Sequence, residues 1–197
     1  MDFSLNDEEQ AIYDLATQIL GDKSTHDRLR QIQADGDRVD AEAWAALAEA
    51  GVLGAAIPEA HGGIGLGFLA TAMAVQVVGS TASPVPLLST AIMGAMPIVE
   101  FGTEAQQAAY LPSIADGSLI VAAGLYEMGT SPSEPETVAV ADGDGYRIDG
   151  VKPMVEAGLD AGLLLVPAKL GDGSCGVFLV AADADGVSRC LLYTSPS

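Results

Sequence analysis

The stretch TEAQQAAYLPSIADGSLIVAAGLY, residues 103–126, changes its periodicity in the middle. Thr103 and Gln106 are spaced as a helix capping box, and Tyr110, Leu111 and Ile114 then fall on one helical face. From Ser118 the apolar residues run on with no helical gap, and SLIVAAGLY (118–126) reads as a short strand. Asp116 and Gly117 stand between the two as a stop. One kind of structure ends there and another begins.

Everything upstream has helical character. Asn6 and Glu9 form a second capping-box pattern, Ile12, Leu15, Ala16, Ile19 and Leu20 mark one face, and Gly21 is the expected end. The polar residues 23–38 predict an exposed second helix. In DAEAWAALAEAG (40–51) Asp40 caps, Trp44, Leu47 and Ala48 point inward, and Gly51 stops. VLGAAIPEAHGGIGLG (52–67) reads as loop, with helices following near 68–78 and 84–101.

Downstream, TVAVA (137–141), YRIDGVKPMV (146–155), GLLLVPAKL (162–170) and CGVFLVAAD (175–183) are strand-like runs, with ADGDGY (141–146) as a hairpin turn. The expected fold is α+β: an all-helical domain over 1–117, then a small antiparallel, β-barrel-like domain over 118–189. CLLYTSPS (190–197) fits neither pattern; it resembles a translated sequencing adapter and reads as a non-native tail.

Charge excludes several functions. The chain of 197 residues carries a net charge of −19, with only eight Lys and Arg, and none between Arg38 and Arg147. Such a surface repels phosphate backbones, so no nucleic-acid partner is expected. Residues 60–99 hold no Asp, Glu, Lys or Arg, but GSTASPVP (79–86) divides them, leaving neither half the ~20 apolar residues of a span. No membrane span is expected. MDFSLNDEEQ (1–10) is acidic where a targeting segment would be basic, which points to the cytoplasm. Cys175 and Cys190 match no metal or disulfide spacing.

Four ordered pieces resemble the flavin-dependent acyl-CoA dehydrogenases: MDFSLNDEEQ (1–10), WAALAEAGVLGAAIPEAHGGIGLG (44–67), FGTEAQQAAYLPSIADG (101–117) and DGDGYRIDGVK (142–152). Any one is weak; four in order and at the right spacing are specific. The resemblance runs to about Val187 and implies the family's N-terminal helical and middle β domains. It further implies FAD as cofactor, an acyl-CoA thioester as substrate, α,β-dehydrogenation, and homo- or hetero-oligomers of acyl-CoA dehydrogenase-like subunits. The family's glutamate base belongs to a C-terminal helical domain, so no catalytic residue is assigned here.

The resemblance also marks two flavin contacts. In the family the first β-domain strand runs into a Leu-Thr-Glu-Pro-Gly loop; the matching residues here are Leu125, Tyr126, Glu127, Met128, Gly129, Thr130 and Ser131. Leu, Glu and Gly are kept, while Tyr126 replaces the small hydroxyl residue. The second contact is an aromatic, an aliphatic, then Ser or Thr; Met154, Val155 and Glu156 stand there instead. A thioether packs softly on a ring but lacks a flat indole face. An ionised carboxylate has no proton for an acceptor nitrogen. These departures read as degraded flavin contacts and resemble the flavin-poor subunits of heteromeric steroid side-chain acyl-CoA dehydrogenases.

Other features have plain readings. GGIGLG (62–67) follows no strand and so is a turn rather than a dinucleotide fingerprint. His61 sits in that turn without a sequence partner, and His26 lies on a charged helix face. DGDG (142–145) lacks the calcium-loop pattern and is a hairpin turn. Two functions stay open: part of a FAD-dependent acyl-CoA oxidoreductase, inactive as these residues alone, or a flavin-free subunit completing a partner's site. A third, a generic helical–β binding module, requires the ordered matches to be coincidence.

Overall fold

The computed structural model describes residues 5–191. Their internal contacts divide them into two compact units between Ile120 and Val121.

In the helical unit, α1 (Asp7–Lys23) starts where the capping box places it. Asn6 Oδ1 accepts from the amides of Glu8 (3.0 Å) and Glu9 (2.9 Å), and Glu9 Oε2 accepts from Asn6 N–H at 2.9 Å. Ile12, Ala16 and Leu20 are buried, but Leu15 is exposed, so the inward stripe is narrower than the sequence pattern. The helix passes through Gly21, which costs only about 1 kcal/mol in a helix, and ends at Ser24. Helix α2 (His26–Asp35) is capped by Thr25 and closed by left-handed Gly36. Asp40 caps α3 (Ala41–Glu49) as expected. Its buried carboxylate also takes two bonds from Arg28, at 2.8 and 3.2 Å, and its amide donates to Pro84 O. Arg28 holds the Asp40 carboxyl below its ordinary value against the opposing effect of burial.

Residues 52–67 form a packed connection with two short 3₁₀ turns, Val52–Gly54 and Glu59–His61. The amides of Gly63, Ile64, Gly65 and Leu66 donate to carbonyls of residues 54–58. A Cβ on Gly63 would stand 2.0 Å from Ile57 O. The glycines serve close approach of two backbone segments, and these amides are not free for phosphate.

Helix α4 (Phe68–Thr81) packs along α1. The helix expected from residue 84 begins later and opens as a π-helix over Leu88–Ala95, before α5 (Met96–Phe101). Met96 N–H reaches Ala91 O, five residues back. Pro97 has no amide and its ring would press on the carbonyl four residues earlier; wider turns let the helix run through it. Helix α6 (Glu104–Ala115) carries the second capping box, with Leu111 and Ile114 inward and Tyr110 half-buried. Trp44, Leu47, Val52, Leu53, Leu87 and Ala74 lie in the core. Among the described residues no helix is long and apolar enough to cross a membrane.

The second unit is a sheet of β1 (Val121–Ala123), β2 (Val138–Asp142), β3 (Gly145–Asp149), β4 (Leu163–Lys169) and β5 (Cys175–Ala181). β5 lies antiparallel along all of β4. β1 runs parallel to the start of β4, and β2 touches its end through one parallel bridge, Val138↔Lys169. A strand has two edges, so β1 and β2 share the one that β5 leaves free. Only β2–β3 and β4–β5 are hairpins. The sheet is therefore mixed and open among the described residues, which corrects the antiparallel, barrel-like expectation. The reason is connectivity: parallel neighbours need long excursions, and residues 124–137 and 150–162 provide them.

Pro167 in mid-strand fits this arrangement. Gly124 N–H donates to Leu165 O and Lys169 N–H to Thr137 O, both at 2.8 Å, on the shared edge. Alternation puts Pro167 on that edge between them, where β1 has left and β2 has not begun. A residue without N–H loses no ladder bond there. The strand expected over 146–155 stops at Asp149, and Met154 (φ 56°) and Ala157 (φ 55°) are left-handed. Of the tail reading for 190–197, all but Cys190 and Leu191 lies outside the described residues.

Candidate functional site

Where β1 leaves the β4 edge, the chain must pass another segment closely. A Cβ on Gly124 would lie 3.1 Å from both Cβ and Cγ of Lys152, so glycine lets the lysine stem cross here. Three residues on, Glu127 turns inward and is only 6% exposed.

Its carboxylate gathers the loop. Oε1 accepts from Lys152 Nζ at 2.5 Å, from Thr137 Oγ1 at 2.5 Å and from Thr137 N–H at 3.2 Å. Oε2 accepts from Glu136 N–H at 2.5 Å and from Thr130 Oγ1 at 3.5 Å. Thr137 is itself buried, and Gly150 must be glycine beside it: a Cβ there would sit 2.2 Å from Thr137 Oγ1. One carboxylate thus ties both ends of the 127–137 excursion to the segment after β3.

Burial alone would raise the Glu127 pKa, but the Lys152 ammonium, the Thr137 hydroxyl and the two amides outweigh it and hold it at about 2. A carboxylate so held is a weak base with its lone pairs engaged. It organises structure; it does not abstract protons.

The other expected contacts lie at the surface or beside it. Leu125 is half-buried and Tyr126 exposed. Gly129 has φ 85°, which explains its retention, and Ser131 Oγ lies 2.9 Å from Ser133 Oγ. Met154 is 62% exposed on left-handed backbone, Val155 is half-buried, and Glu156 is exposed. Sequence reasoning missed Lys152, Thr137 and the Glu136 amide. The available signal was scarcity: Lys152 is one of eight cations in a chain with 27 acids.

The flavin implied by the resemblance has a definite requirement, a donor facing the acceptor nitrogen of its ring. Residues 154–156 offer a thioether, an isopropyl group and a carboxylate, with Glu127 already committed to Lys152. These side chains do not fit the side-chain contact of a self-sufficient flavin site.

Residues 6–118 match the family model for the acyl-CoA dehydrogenase N-terminal domain. Acyl-CoA dehydrogenase FadE27 of Mycobacterium tuberculosis is 33% identical over 99% of this chain and 51% of its own length. The steroid ACAD Tcur3481–Tcur3483 superposes with a TM-score of 0.87 at 42% identity, over 93% of this chain and 50% of that one. The ChsE4–ChsE5 complex from Mycobacterium tuberculosis gives 0.89 at 32% identity, over 98% and 52%. The chain spans about half the length of these relatives. With its helical unit matched by the family model and its sheet shared with solved members, the chain belongs to the acyl-CoA dehydrogenase family.

Proposed function

We propose that this chain forms part of a flavin-free acyl-CoA dehydrogenase subunit, which works beside a flavin-bearing subunit of the same family in oxidising a steroid-type acyl-CoA thioester. The observation that carries this reading is the lack of a side-chain hydrogen-bond donor at Met154, Val155 and Glu156, two of whose side chains are exposed. The resemblance to a steroid ACAD and to a two-subunit complex supports the substrate class and the partner. In this role the Glu127–Lys152 knot keeps the 124–137 loop folded without help from a ligand.

A second reading, a FAD-dependent oxidoreductase of the ordinary kind, is favoured by the retained Leu125, Glu127 and Gly129. The two readings part in an assay of acyl-CoA-dependent electron transfer to a dye. Residues 1–197 alone, and the full-length subunit alone, are expected to give no turnover. The full-length subunit with a flavin-bearing partner is expected to oxidise a steroid side-chain acyl-CoA. Turnover by the subunit without a partner would overturn the proposal in favour of the second reading.

A further inference from the structure

Residues 150–162 carry Met154, Val155 and Glu156 yet form no strand or helix. Two of them, Met154 and Ala157, sit at positive φ without being glycine, a conformation that persists only where surroundings impose it. Three backbone donors within the turn are spent locally: Gly158 N–H goes to Val155 O, while Asp160 N–H and Ala161 N–H go to Ala157 O. Three carbonyls in the same turn point to one place. Arg189 Nη1 donates to Gly158 O at 3.0 Å, Leu159 O at 3.1 Å and Ala161 O at 3.0 Å.

A nitrogen with two hydrogens serving three acceptors shares at least one of them. A guanidinium does this well because it is planar, always charged and weakly hydrated. Three carbonyl dipoles converging on it make a cation seat, built from backbone alone. Arg189 comes after β5, thirty-one residues beyond Gly158. It therefore closes a long chain segment containing β4 and β5.

We propose that Arg189 is a positioning residue that sets the shape of the 154–161 turn. Its guanidinium is the pin on which the end of the turn is wound, holding Gly158, Leu159 and Ala161 directly behind the face formed by Met154, Val155 and Glu156. The significance of that face rests on the proposed function; the pin itself does not.

The test is amide hydrogen exchange on the 197-residue chain and its Arg189→Ala variant. Loss of the pin is expected to speed exchange at residues 158–161 roughly tenfold or more, while the β4–β5 ladder keeps its protection. Methylguanidinium added to the variant is expected to restore protection in that turn, a rescue that a lost packing contact would not show. Unchanged exchange at 158–161, acceleration spread evenly over the sheet, or failure of the rescue would each overturn the assignment. Flavin content of the full-length subunit is read separately. A colourless subunit with unaltered exchange sinks the pin alone, and a flavin-loaded one with the expected exchange sinks the proposed function alone.

Discussion

Glu127 shows how much one residue can decide. A buried carboxylate needs a cation and several donors, and Lys152, Thr137 and the Glu136 amide supply them from two segments far apart in sequence. Glu127→Gln removes the charge that Lys152 faces, leaving an ammonium that is itself largely buried. The variant is expected to lose about 3 kcal/mol of stability in the sheet unit, measured by urea unfolding near neutral pH. The sign of its pH dependence follows from the titration. The folded carboxyl titrates at about 2 and an ordinary one at 4.5. Its stabilising effect is thus full above the ordinary value and fades as pH falls through the folded one. The wild-type advantage should shrink on acidification and vanish below about pH 2. An unchanged gap between wild type and variant across that range would show that Glu127 is not the knot.

Elements divide into those whose signals are local and those whose partners are distant. Both capping boxes were legible because donor and acceptor lie three residues apart, and Asp40 was legible as a cap for the same reason. The π-helix was not legible: it answers to Pro97, whose effect spreads over the turns before it. The sheet order was not legible either, since alternation fixes which face a residue takes but not which edge of β4 its strand joins. The glycine-rich connection gives a prediction at this scale. Gly63→Ala is expected to destabilise the helical unit by about 3 kcal/mol, because its Cβ would collide with backbone. Gly65→Ala meets no atom and is expected to cost about 1 kcal/mol from its left-handed backbone alone. Thermal unfolding of the two variants checks the order. Equal losses would mean that backbone conformation, not close approach, explains the motif.

At the scale of the molecule, the family was visible in four ordered sequence pieces. The candidate site was half visible. Leu125, Glu127 and Gly129 stood out as pattern, whereas Lys152 and Arg189 act through contacts 25 and about 30 residues away that no local spacing announces. A chain with eight cations and a net charge of −19 places two of them on this one region, each engaged with acceptors from another segment. That arrangement supports a loop pair shaped from within the chain. The most direct test is the flavin content of the full-length subunit, purified alone and together with a flavin-bearing partner. The account predicts a colourless protein alone and flavin only in the joint complex. A yellow, flavin-loaded homomer with one FAD in every chain would contradict it.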